Sequence, residues 1–201
     1  LATKIPGLQS WILDRGFGVM LFSTIDTRRM KILAVTIAAL FLAACQTTGL
    51  KPGAIDTSFP PSGWVTERKG NKTFYLCPKT KCKTRQGVAI VPLKIRGDAE
   101  TAIRRNVLTA ELFDAAYNFL EVASKRAVSS SPHRKIQTRT YTGFEHVMTF
   151  KDRNGRRLYV AIRDIVQKDR GVFVASFSFN RGVAQRNLRR YLAQTTVRRV
   201  N

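Results

Sequence analysis

Two turn signals in the second half of the chain restrict the fold more than any other feature. "DRNG" at 152–155 and "KDRG" at 168–171 separate three stretches rich in β-forming residues. These are Ile136 to Lys151, Arg157 to Gln167, and Val172 to Phe179. Asn154-Gly155 suits a hairpin, because both residues tolerate positive φ. Links this short cannot join parallel neighbours, so the three stretches must pair antiparallel as a meander.

Upstream of the meander the pattern changes. "FYLC" closes a strand between Trp64 and Cys77, and "GVAIVPLKI" at 87–95 forms another, where Pro92 points to an edge or a bulge. Residues 97–127 then read as one long helix. Asp98 is its N-cap and Glu100 suits the first turn. Ile103, Val107, Ala110, Phe113, Tyr117 and Leu120 recur at helical steps. Leu108, Leu112, Ala116 and Phe119 form a second stripe, which predicts a helix covered on two sides. "SSSPH" at 129–133 ends it, and Asn180 caps a last helix that turns Val183, Leu188, Tyr191 and Leu192 inward. The expected class is α+β: an antiparallel sheet, with the meander and the earlier strands, packed by one long and one C-terminal helix. In element order alone this is similar to PsbP-like domains.

Charge is the strongest compositional signal. The 201 residues carry 35 Lys and Arg against 13 Asp and Glu, a formal net charge of +22. An excess of that size predicts attraction to phosphate-bearing partners. The bases cluster: Lys79, Lys81 and Lys83 alternate between and beside two cysteines, Arg153, Arg156 and Arg157 surround the first turn, and Arg186, Arg189 and Arg190 share one helical face. Arginine's planar fork suits paired phosphate oxygens.

Near the start, Arg28, Arg29 and Lys31 precede 13 uncharged residues, Ile32 to Ala44. A membrane helix needs about 20, so this layout fits a secretory signal better than a span. The run ends Leu42-Ala43-Ala44-Cys45. Here the chain resembles bacterial lipoprotein precursors, whose lipobox reads Leu, small, small, Cys. The resemblance implies cleavage before Cys45 and acylation of Cys45, with Gln46 as the outer-membrane default. It sets off an upstream extension of the gene model (1–29, with Met30 the start) and a signal peptide (30–44); composition then reads as a lipid-anchored, Gly-, Pro- and Thr-rich tether (45–63) and one globular domain (64–201). The chain from Cys45 onward keeps 30 bases and 11 acids, a net +19, so the charge belongs to the domain.

An exported location bears on the remaining cysteines. A disulfide between Cys77 and Cys82 is the leading reading in an oxidising compartment. A thioredoxin-type pair would want two intervening residues, and a zinc site would need His133 and His146 at a spacing that matches no common zinc pattern. His146 is expected on a strand face with Phe144, Met148 and Phe150 as a hydrogen-bonded core residue, and His133 in an exposed loop. Glu145, Asp164 and Asp169 are expected in salt bridges with arginine.

No nucleophile elbow, zinc-protease helix or phosphate-binding glycine loop is present in the sequence. The expectation is therefore a lipid-anchored, non-enzymatic envelope protein without a cofactor or metal. Its expected partners are anionic phospholipid, lipopolysaccharide or acidic wall polymer, or another envelope protein, and not nucleic acid. The competing expectations are an enzyme acting on envelope polymer, with His146 beside Glu145 or Asp164, and an assembly factor that recognises protein through an apolar patch. Anchoring has a direct check. Cys45→Ala is expected to abolish acylation and lipobox processing in expressing cells; a product processed and sedimenting as before would contradict it.

Overall fold

The structure, a computed structural model, describes residues 49–200; the lipobox, Cys45 and everything before Gly49 lie outside the described residues. Among the described residues there are ten strands and three helices. The chain runs β1 (Ile55–Thr57), β2 (Val65–Lys69), β3 (Lys72–Cys77), β4 (Gln86–Lys94), α1 (Ala99–Arg104), α2 (Ala110–Ala123), β5 (Val128–Ser130), β6 (Arg134–Gln137), β7 (Thr142–Lys151), β8 (Arg157–Gln167), β9 (Arg170–Ser178), α3 (Arg181–Ala193) and β10 (Thr195–Val197). An eight-stranded antiparallel sheet has the order β2-β3-β4-β9-β8-β7-β5, with β6 also on β7. The expected α+β class is observed.

The meander forms as its turns require. Asp152 Oδ1 accepts from the amides of Asn154 (2.9 Å) and Arg156 (2.8 Å), and Gly155 takes φ 75°. This sets Lys151 opposite Arg157. The next link has only Lys168 and Asp169, setting Gln167 opposite Arg170. Glu100 holds that link from α1. Its carboxylate accepts from the Lys168 amide (2.9 Å) and from Arg104 and Arg199, and its own amide donates to the Lys168 carbonyl (3.0 Å).

Each sheet face then has its own helix. Tyr75, Val88, Ser176, Ala161 and Val147 lie in one cross-strand row. This row meets Ala184, Leu188 and Tyr191 of α3, all buried. On the other face Phe144 and Val166 pack with Ile103 of α1 and Phe113 of α2. Gly143 lets β7 approach β8: a Cβ there would stand 2.0 Å from the Asp164 carbonyl oxygen.

Four expectations need correction. The tether does not extend to 63. β1 pairs with β10, and Phe59 is only 4% exposed, meeting Trp64, Tyr75 and Tyr191 edge-on at 5.2–5.4 Å. The described part of the predicted tether thus belongs to the folded unit. The long helix is two helices. Asn106 takes φ 57°, and Thr109 restarts the chain by capping the Leu112 amide at 3.3 Å. The long first strand of the meander folds back as β6 and β7, because Thr138 Oγ1 accepts from the amides of Thr140 and Tyr141. The serine stretch is not only a breaker, since Val128–Ser130 pairs with β7 as β5. Pro92 agrees with an edge position: β3 stops pairing with β4 at Ile90, two residues earlier. Asn180 caps α3 as expected, accepting from Val183 N at 3.1 Å. No helix among the described residues is long and apolar enough to cross a membrane.

Candidate functional site

Strand register gathers bases that are distant in sequence. Cys77, Gln86, Ser178, Tyr159, Thr149 and Ser129 form one continuous row across β3, β4, β9, β8, β7 and β5. Everything just beyond this row lies at the same end of the sheet. That end carries the β3–β4 loop with Lys79, Lys81 and Lys83, the β7–β8 turn with Arg153 and Arg156, and the start of α3. The Cys77–Cys82 disulfide is present and closes the base of the lysine loop. Lys79, Lys81, Lys83, Arg153, Arg156 and Arg157 are all exposed.

Toward the β5 side of this end is a cleft of about 390 Å³. Arg126, Lys151, Arg157 and Arg181 line it, together with Ser129, Thr149 and Tyr159. No acidic side chain lines it. None of its four bases is ion-paired to a carboxylate among the described residues. Asp152 is the nearby carboxylate in the turn, and it is committed to Arg156 at 2.7 Å. That side-chain bond, with two backbone amides, holds the Asp152 carboxyl below the usual carboxylate range. Arg181 is the first residue of α3, so the positive end of the helix adds to the same potential. Four cations and three hydroxyls thus line one cleft with no acidic side chain among them.

Elsewhere among the described residues a few acids each take one or two bases, and most of the remaining bases are exposed without a carboxylate partner. Glu145 is bound by Arg134 (2.8 Å) and Arg163, and this pair outweighs the upward push of burial on its carboxyl. Asp56 takes Arg198 at 2.9 Å, and Glu100 takes Arg104 and Arg199. Arg186, Arg189 and Arg190 lie exposed on the outward side of α3, as their spacing predicts. The structure thus joins the first two predicted clusters at one sheet end and extends them along α3. Sequence reasoning missed Arg126, Lys151 and Arg181. Only Lys151 carried a usable signal, because the Asn-Gly turn already implies its pairing with Arg157.

The two histidines were separated by the sequence and are joined by the fold. His133 is buried, not exposed as its polar loop suggested; Asp114 of α2 accepts from its backbone amide (2.9 Å) and meets its ring Nδ1 at 2.6 Å. Its ring stacks on His146 with centroids 4.1 Å apart, and Tyr117 lies against both. His146 is buried as expected but not hydrogen-bonded: neither ring nitrogen has a partner among the described residues. Burial, then the neighbouring His133, hold it down to about 4. Asp164 has no arginine partner either, and its Oδ1 is screened from solvent without a hydrogen bond. Burial raises its carboxyl to about 7 against a smaller pull from Arg163.

These groups do not form the constellation that an envelope-polymer enzyme would use. Glu145 and His146 border a cavity of about 60 Å³ with Val147, Ala161 and Leu188, whereas a ligand pocket has roughly 300 Å³ or more. No group of three or more His, Cys, Asp or Glu among the described residues is arranged to hold a metal ion.

The chain matches no protein-family model and no curated protein. A crystal structure from Bacteroides thetaiotaomicron VPI-5482 is similar over 76% of this chain, with 11% identity and a TM-score of 0.41. The match covers 48% of that structure, so this chain spans about half of its length.

Asp164 gives a pH-dependent prediction. A carboxyl raised in the fold adds stability below its unfolded pKa and loses it as pH rises through the folded one. Asp164→Asn is therefore expected to raise Tm over the parent protein at about pH 8 and to leave it unchanged at about pH 4. His146 titrates in the opposite sense but is common to both proteins. Thermal melts at the two pH values check this; an offset independent of pH would contradict it.

Proposed function

We propose that the protein is a lipid-anchored adaptor of the bacterial cell envelope that binds anionic envelope components through its cationic sheet end. The anchor is Cys45, and the proposed location is the periplasmic face of the outer membrane; the lipobox and Gln46 support both. The ligands are lipid phosphates, lipopolysaccharide or acidic wall polymer. A scaffolding role toward another envelope protein is compatible with the same tethered arrangement.

One observation carries this reading: four unpaired bases, Arg126, Lys151, Arg157 and Arg181, converge on one cleft at the foot of the β7–β8 hairpin. A basic surface serving solubility alone has no need of convergence. Bringing Arg126, Lys151, Arg157 and Arg181 together costs mutual repulsion, which an anion between them removes. Ser129, Thr149 and Tyr159 supply hydroxyl donors for its oxygens. Association of this kind weakens with salt, because exposed charges are screened within about 8 Å at physiological ionic strength.

Charge reversal separates this site from bulk charge. Lys151→Glu with Arg157→Glu is expected to weaken binding to phosphatidylglycerol vesicles and to lipopolysaccharide by about 10-fold or more at low salt. Lys72→Glu with Lys94→Glu changes net charge equally at the opposite sheet end and is expected to have a much smaller effect. All four side chains are exposed, so the fold should survive, which circular dichroism checks. Equal losses in the two pairs would reduce the interaction to net charge and remove the site.

A further inference from the structure

α2 is turned the wrong way round for a helix on a water-facing surface. Such a helix normally buries its apolar side and leaves charge outside. Toward the sheet α2 sends Phe113, but also Asp114, Tyr117 and Glu121. Its outward side carries Leu112, Ala115, Ala116, Phe119, Leu120, Val122 and Ala123, all exposed. Leu112 is 53% exposed, and Phe119 and Val122 are 76% exposed. No charged residue interrupts this side; Glu111 stands at its margin in the first turn. Val107, 69% exposed, extends the apolar surface before the helix begins.

This orientation is fixed by bonds. Asp114 holds the His133 amide and ring, and Tyr117 packs on both stacked histidines. The buried polar cluster is thus the anchor that keeps the apolar side outward. The sequence predicted cover on both sides of this helix, and the structure provides it on one.

Charge identifies the occupant. Exposed bases flank the apolar side at both ends, Arg105 ahead of it and Lys125 and Arg126 behind it. Arg126 also lines the cationic cleft, so one base borders both surfaces. A second copy would bring bases against bases, Arg105 of one facing Lys125 and Arg126 of the other, on chains of net charge +19 from Cys45 onward. An apolar stripe edged by Lys and Arg matches the boundary between anionic headgroups and acyl chains. We propose that the outward side of α2 docks in the interface of an anionic lipid bilayer, with Phe119 as its deepest side chain. This surface is apolar and acts by burial, so it is separable from the salt-sensitive cleft.

The test uses the processed chain, residues 45–201, carrying Cys45→Ala, which lacks the apolar signal run and the acyl chains and leaves an introduced cysteine as the one free thiol. Phe119→Cys, labelled with an environment-sensitive fluorophore, is expected to shift its emission to the blue with phosphatidylglycerol vesicles. Quenching by spin-labelled lipid is expected at the same site, while a label at Arg189→Cys on α3 stays in water. Leu112→Gln with Phe119→Gln and Val122→Gln alters exposed positions only. It is expected to weaken vesicle binding by about 10-fold or more, including at salt high enough to suppress the cleft. Unshifted emission at position 119, or vesicle binding unchanged by the triple substitution, would overturn the proposal. So would loss of self-association or of a protein contact in the triple variant while vesicle binding stays intact. Failure of the cleft variants alone would leave this result standing.

Discussion

The register of the antiparallel ladder from β4 through β9 and β8 to β7 is the constraint on which the remaining features depend. A slip of one residue would transfer every side chain to the opposite face. Two short links prevent it. The Asp152 carboxylate organises one through the amides of Asn154 and Arg156. Glu100 fastens the other through the Lys168 amide while neutralising Arg104 and Arg199. Both carboxylates are therefore engaged in shaping turns, in a chain with 13 acids among 201 residues. Acids used in this way, and those bound by Arg134, Arg163 and Arg198, leave the four bases of the cleft without a counter-charge.

The same register explains the buried chemistry. It places Asp164 beside Phe173 on the face shared with Phe144 and away from the Glu145–Arg163 pair. It also holds His146 where the loop after β5 can stack His133 on it. These unpaired polar groups are costly in an apolar setting. The Asp114 bond to His133 recovers part of that cost and in doing so sets the rotation of α2.

Local chemistry was legible in the sequence, and long-range placement was not. The meander, its two turns, the Asn180 cap and the disulfide all follow from neighbouring residues. The Phe59 contact was hidden, because one aromatic inside a Gly- and Pro-rich stretch looks like tether until Tyr75 and Tyr191 are brought to it. The helix break was masked by an apolar pattern that runs on through Val107 and Leu108; Asn106 and Thr109 were the signals that mattered. His133 looked exposed because its partner Asp114 lies 19 residues earlier on a helix whose rotation the periodicity left open. Of the cationic cleft, Arg157 of the hairpin could be seen in advance. Arg126 and Arg181 could not, since β5 and α3 meet β7 and β8 only in the folded sheet.

The central claim is that this sheet end holds a phosphate-type anion at a defined place. The most direct measurement is a backbone amide NMR titration of the protein with pyrophosphate. The account predicts saturable shifts concentrated at Ser129, Thr149, Tyr159 and Arg181, abolished by Lys151→Glu with Arg157→Glu. Shifts spread evenly over the exposed lysines and arginines, or absent from these four residues, would contradict it.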